Sequence, residues 1–482
     1  MYRRGRDSIY IVYFLRQVRS ARRFLTSLRH SDTLRQPIRT EVHLAAANSS
    51  AAIASAAAQI SERARHRVVV RLLPFLFVLY IANYIDRTSV AYANLAMTAQ
   101  LHLTDKQFGL GAGIFFITYI ALQIPGAMLV EHWSARRLIS AVMIAWGFLT
   151  ALTGLVHSAG QLYAARLALG AAEAAFFPGV IVYLSHWFCR EDRAKATGNF
   201  MSAIPLSQAL AAPAAGWIIG HAFLGLAGWR WLFILEGLPA ILLGAVAFFF
   251  LNDRPREAQW LAADERAWIE QKLRDEKLST PQAMPILAAL RSRIVLLLAV
   301  VSFLQYFVGY AFYFWFPTML KRASTLSNLG VGIVGMIPYL LMFVAMIANG
   351  WHSDKTMERR WHSAVPMFVA ALGALGLMAH TGGSLVLLVT LFSMIAFCNA
   401  FLSTFWAIPT TLLSRSAAAA AVGLINGVAS IGGFAGPYML GYLSTKTGSF
   451  RAGMAVVAAT AILGALLIFL IPKSPRAHTN AV

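Results

Sequence analysis

Twelve apolar runs, each long enough to cross roughly 30 Å of hydrocarbon, recur along the sequence at 69–96, 107–130, 136–156, 161–188, 195–220, 229–251, 294–320, 329–351, 363–380, 384–413, 418–444 and 452–471. A backbone immersed in lipid must satisfy its hydrogen bonds within itself, so each run is predicted to be a helix. The fold class that follows is an all-α polytopic membrane protein, with the runs numbered here as spans 1 to 12. Composition agrees: 58 % of the 482 residues are hydrophobic and 13 % charged, with mean hydropathy +0.62, too apolar for an ordinary soluble domain. A net charge of +21 could suit nucleic acid, but the basic residues cluster in particular loops without an aromatic-interleaved patch. The expected partners are lipid and small solutes, and no nucleic acid.

Those loops alternate. Arg63, Arg65 and Arg67 precede span 1, and Arg136/Arg137, Arg190/Arg193/Lys195, the charged stretch 252–293, Lys355/Arg359/Arg360 and Lys473/Arg476 follow the even-numbered spans. The positive-inside rule then places both termini in the cytoplasm. Lys321/Arg322 and Lys446/Arg451 are exceptions on the other side. The expected organisation is a disordered basic extension at 1–65, a six-helix bundle at 66–251, a cytoplasmic linker with an amphipathic helix at 252–293, a second six-helix bundle at 294–472 and a tail at 473–482. The extension is expected to take no part in the activity of the spans. Cys189 and Cys398 sit at or in apolar spans and read as packing residues.

Charge inside the spans is the anomaly. A charged side chain near a bilayer centre costs about 2.5–3.5 kcal/mol, so such residues normally face water or a partner and mark an ion or substrate path. Span 1 carries Asp86 and Arg87; span 4 carries Arg166 and Glu173, nearly two turns apart and so on about the same side. Unpaired, these four would cost on the order of 10 kcal/mol; they must face one another or water. Asn83, Tyr84 and Arg87 share one face of span 1, a set suited to a carboxylate ligand. Tyr119 and Gln123 share a face of span 2, Asn399, Ser403 and Trp406 recur at near-helical intervals in span 10, and Asn426 lies in the glycine-rich span 11. Each of these polar groups suits either a ligand or an interhelical hydrogen bond. The turn after span 2, with Glu131, Arg136 and Arg137, is matched after span 8 by Asp354, Lys355, Arg359 and Arg360. Similar charged turns at corresponding places point to internal duplication.

The strings NYIDR, YIALQIPG, RLALGAAEAAFFPG, YLSHWF, GWRWLFILEG, FYFWFPTML and GLINGVASIGGFAGP complete the pattern. From about residue 66 to 475 the chain resembles the major facilitator superfamily, and within it the anion:cation symporters, tartrate-like organic-anion transporters. The resemblance implies twelve helices in two six-helix bundles around a central cavity that opens alternately to either side. It implies that Arg87 holds the substrate anion, that Asp86 and Glu173 carry protons, that Arg166 neutralises them, and that Tyr84, Tyr119, Ser403, Trp406 and Asn426 line the cavity. Two departures stand out. The first gate turn has Glu131, His132 and Ser134 where the superfamily pattern has an aspartate, a base and a glycine, and early span 5 offers Ile204 with Gln208 one turn later.

Arginine stays cationic at physiological pH, whereas carboxyl groups in an apolar cavity can exchange protons near neutrality. Only the acids can switch. The expected function is proton-coupled uptake of a small organic carboxylate, a tartrate-like hydroxy-dicarboxylate or sugar acid, by a chain acting as a monomer in a bacterial inner membrane. Aromatic acids such as hydroxyphenylacetate or phthalate are the alternative substrates, and a receptor or channel the alternative class. No nucleophile constellation, metal-ligand spacing or nucleotide loop stands out, so neither an enzyme nor a cofactor or metal is expected; GLGAG in span 2 reads as a membrane glycine cluster.

Overall fold

The computed structural model describes residues 35–278, 292–379, 384–412 and 415–472, and the described residues are helical with no named strand. Spans 1, 2 and 3 lie in Arg35–Gln100, Asp105–His132 and Ala135–Thr153; spans 6, 7, 8 and 9 are Gly228–Phe250, Arg293–Arg322, Asn328–Thr356 and Arg360–Ala379; spans 11 and 12 are Arg415–Thr447 and Arg451–Ile468. Spans 4, 5 and 10 are interrupted. Span 4 is Ala159–Glu173 followed by Phe176–Trp187, and span 5 is Arg190–Met201 followed by Ala203–Ile219. Ten of these helices are long and apolar enough to cross a membrane by length and composition alone, among the described residues. The remaining two, Asp105–His132 and Arg415–Thr447, pack against each other within the bundle.

Local chemistry sets many of the boundaries. Thr104, Ser134, Ser158, Ser292, Ser327 and Ser384 each cap a span, their hydroxyls accepting from a backbone N–H of the first turn. Span 4 breaks at Ala174 because Pro178, four residues on, has no N–H to return to that carbonyl. Pro409 acts likewise on the turn at Phe405 and Trp406. The N-terminal segment differs from expectation: residues 35–65 are helical. The alanine-rich AAANSSAAIASAAA has high helix propensity and accounts for it. Residues 1–34, linker residues 279–291 and the tail 473–482 lie outside the described residues.

The first part of the linker docks on spans 1 to 6. Its helix Ala263–Leu278 places the fully buried Glu265 2.9 Å from Arg67, Lys272 is 3.0 Å from Glu191, and Trp260 stacks on Trp187 at 5.5 Å.

Spans 1–6 meet spans 7–12 mainly through span 2 against span 11 and span 5 against span 8. A Cβ on Gly441 would overlap the carbonyl oxygen of Asp105, so only glycine permits that approach. Beside it Arg322 donates to both oxygens of Asp105 at 2.6 and 2.7 Å, Ser444 donates to the same carboxylate at 2.6 Å, and Thr445 accepts from the backbone of Lys106 at 2.8 Å. Asn94 donates to Thr318 at 2.7 Å. Among the described residues, the hydrogen bonds and ion pairs between the two halves all lie at this end, opposite the charged turns.

Candidate functional site: a buried charge cluster in spans 1 to 4

Span 1 turns Asn83 and Arg87 onto span 4. Arg87 Nη2 donates to Glu173 Oε2 at 2.7 Å, and Asn83 Nδ2 donates to the same oxygen at 2.8 Å. Arg87 and Glu173 side chains are only 7 % and 0 % exposed, so the pair is withdrawn from solvent. Gly170, between Arg166 and Glu173, admits the span 2 backbone: a Cβ there would overlap the carbonyl oxygen of Phe115, and Thr118 donates to Leu167 O at 2.7 Å nearby. This close approach brings Phe115 against both arginines, whose guanidinium carbons lie 5.3 Å (Arg87) and 4.9 Å (Arg166) from its ring centroid. Tyr84 and Tyr119 each lie 5.1 Å from the Arg87 guanidinium. The cation is therefore held by one carboxylate and three aromatic rings, contacts that gain strength away from water.

The other pair of charges is buried without being matched. Arg166 is fully buried, and none of its three nitrogens has a hydrogen-bond partner among the described residues; neither carboxylate oxygen of Asp86 has one either. Asp86 is in electrostatic contact with Glu173 and Arg166, and the Thr150 hydroxyl of span 3 stands beside it. All four charges thus share one region.

The second half reaches this region through aromatic rings. Tyr306 donates to Asn426 Oδ1 at 3.2 Å and meets Tyr310 edge-on at 5.6 Å; Tyr310 meets Phe116 of span 2 at 4.7 Å, and Phe116 meets Tyr119 at 6.3 Å. Asn426 is thereby connected to the surroundings of Arg87. Ser403 is not: it donates to Ala400 O at 2.8 Å and lies against Asn349 and Gly350 of span 8. Trp406 meets Phe405 at 5.5 Å, and no described contact joins it to Arg87. Asn399 pairs with Gln305 at 3.3 Å. Gln208 of span 5 is buried, and neither amide atom has a hydrogen-bond partner among the described residues. A cavity of about 270 Å³ lies between spans 1 and 5, lined by Leu73, Pro74, Phe77, Asn199, Phe200 and Ser202; Tyr80, stacked on Phe200 at 4.0 Å, stands between it and Arg87 along span 1.

The charged turns are locally braced. In the first, Asp253 accepts from Ser134 at 2.6 Å and from the Arg136 backbone at 2.9 Å, the Arg136 guanidinium lies over Phe248 at 5.2 Å, and Arg137 is exposed. The Glu131 side chain lies outside what the structure describes. In the second, Arg359 pairs with Asp354 at 2.6 Å, Lys355 lies over Trp351 at 5.2 Å, and Arg360 donates to Phe469 O. Sequence reasoning passed over Asp253, Phe115, Phe116, Tyr306 and Tyr310. The spacing of Tyr306, Tyr310 and Tyr313 on one face of span 7 was the available signal for the tyrosines.

Comparison with known proteins accords with this architecture. The family model "Major Facilitator Superfamily" matches residues 76–437. An Agrobacterium vitis protein named "Putative tartrate transporter" is 37 % identical over 418 residues, 86 % of this chain and 96 % of the relative. The "Quinolone resistance transporter" of Acinetobacter baumannii is 33 % identical over 423 residues, 86 % of this chain and 96 % of its own. Among solved structures, a bacterial homologue of the human lysosomal transporter Spinster, in an inward-facing and occupied conformation, superposes with a TM-score of 0.70 at 20 % identity, covering 84 % of this chain and 97 % of that one. The chain is a multi-pass membrane protein and belongs to the Major Facilitator Superfamily of transporters.

Proposed function

We propose that the protein is a proton-coupled secondary transporter that imports a small organic carboxylate, a tartrate-like hydroxy-dicarboxylate or sugar acid, across a bacterial inner membrane. The observation that carries this reading is the buried Arg87–Glu173 pair with an unmatched Arg166 against the same Phe115 ring. Two permanent cations are balanced by two acids, and only the acids can change charge. When Glu173 and Asp86 take up protons, Arg87 and Arg166 leave a net positive region whose unmatched guanidinium donors suit carboxylate oxygens. When the protons depart, the carboxylates compete for the arginines and the substrate is released. Proton and anion affinities are then linked reciprocally. The tartrate-named relative supports the dicarboxylate reading.

Taking both termini to be cytoplasmic, by the positive-inside rule, the end closed by Asp105 and Arg322 is the outer one. The halves would rock about the span 2–span 11 and span 5–span 8 contacts, releasing that closure to admit substrate. Aromatic acids are the second reading, favoured by the rings of Tyr84, Phe115, Tyr119 and Tyr310 around Arg87. Purified protein in proteoliposomes with an imposed pH gradient tests the function. Tartrate is expected to accumulate above its external concentration and to leave again when a protonophore collapses the gradient. Accumulation of phthalate and not tartrate would select the second reading, and equilibration indifferent to the gradient would indicate a channel.

A further inference from the structure

Glu173 has two oxygens in unlike surroundings. Oε2 accepts from Asn83 at 2.8 Å and from Arg87 at 2.7 Å, while Oε1 is buried with no hydrogen-bond donor among the described residues. Asn83 is itself 1 % exposed and sits one turn before Arg87, so the two donors grip the same oxygen from one helix face. They respond differently to a proton. The guanidinium bond pairs two charges and loses that pairing when the carboxylate is neutralised, whereas a neutral amide N–H bonds the carboxylate more strongly but keeps its bond to the carbonyl-type oxygen of the neutral acid. We propose that Asn83 is a positioning residue for the proton step: it holds Glu173 by Oε2 in both protonation states, so that the proton adds at Oε1 and Arg87 is the group set free. The proton leaves a hydronium ion, whose O–H bond breaks as the Oε1–H bond forms, and returns to water by the reverse exchange; no other covalent bond changes. The inference rests on the reading of Glu173 as a proton carrier.

The charged and titratable groups that face Glu173 are Asp86 and Arg87 from span 1, Tyr119 from span 2 and Arg166 from its own span, with the Thr150 hydroxyl of span 3 beside Asp86. Among the described residues, only Asn83 shares Oε2 with Arg87.

Asn83→Leu keeps the volume and removes the donor. Without it the carboxylate loses one charge-assisted bond, so the pH of half-maximal proton-driven uptake in proteoliposomes is expected to move to the alkaline side by about one unit. Asn83→Ser retains a shorter-reaching donor and is expected to fall between the two; should the leucine variant fail to fold, the serine variant carries the test. A pH profile in these variants identical to the wild type overturns the positioning role. Glu173→Gln run alongside separates the two layers. If it loses accumulation while the Asn83 variants keep the wild-type profile, only the role of Asn83 fails; if it accumulates substrate normally, the reading of Glu173 itself fails.

Discussion

Glu173→Gln offers the sharpest separation of binding from coupling. The substitution keeps the side chain's shape and an oxygen for Asn83 but removes the charge that competes for Arg87. That competitor is a charge-assisted bond of 2.7 Å between side chains 7 % and 0 % exposed. Bonds to charged groups contribute about 1.5–3 kcal/mol, so an anion that must displace Glu173 from Arg87 forfeits roughly one to two decades of affinity. At mildly alkaline pH the variant is expected to bind tartrate tighter than the wild type by that factor. Its affinity is also expected to lose most of its dependence on pH. Isothermal titration calorimetry of purified protein at mildly acidic and mildly alkaline pH reads both quantities, and counterflow in proteoliposomes should show exchange retained without uphill accumulation. A variant that binds no more tightly in alkali, or whose affinity still falls with pH as the wild type's does, would refute the competition argument.

Arg87→Ala is expected to abolish tartrate binding, read as loss of ligand-induced thermal stabilisation, because it removes the cation of the buried cluster that is hydrogen-bonded to a carboxylate; persistent stabilisation would count against it. The outer closure should be indifferent to pH where transport operates. Burial alone would raise the Asp105 carboxyl, but hydrogen bonds from Arg322 and Ser444 and the guanidinium charge outweigh it and hold the group below its ordinary 3.8. A carboxyl so depressed stabilises the closed arrangement above its ordinary value, and loses that contribution only as pH falls through the lower folded value. Hydrogen exchange at residues 104–108 and 441–446 is therefore expected to hold steady in the wild type from neutral to mildly acidic pH and to quicken in Asp105→Asn; unchanged exchange in that variant would show that the ion pair does not hold the closure. Deleting residues 1–60 is expected to leave uptake intact, and lost activity in a truncated protein that still reaches the membrane would contradict this.

The spans were legible because apolar runs of membrane length leave a helix as the only way to satisfy their backbones. Their interruptions were not, since an apolar window reads through Pro178 and Pro409 without registering the bond each withholds. The charge cluster was legible for the opposite reason: four ionised groups inside apolar runs have few tolerable places to point. Pairing within it was not. Sequence spacing offered Asn83 to a ligand, and the folded chain gives its amide to Glu173. In span 10 the even spacing of Asn399, Ser403 and Trp406 assumed a regular helix, but Phe397–Phe401 is a 3-10 turn with about three residues per turn. The faces beyond it are rotated, so Ser403 meets span 8. Residues 35–65 misled because a basic, low-complexity composition resembles disorder while its alanines favour a helix.

Proton uptake on substrate binding tests the central claim without any membrane. Tartrate added to purified protein in weakly buffered solution near neutrality is expected to draw protons from the medium, seen with a pH-indicator dye, because the anion can hold the arginines only as the acids become neutral. The same addition to Glu173→Gln should draw markedly fewer. Binding that proceeds with no proton uptake by the wild-type protein would contradict the account.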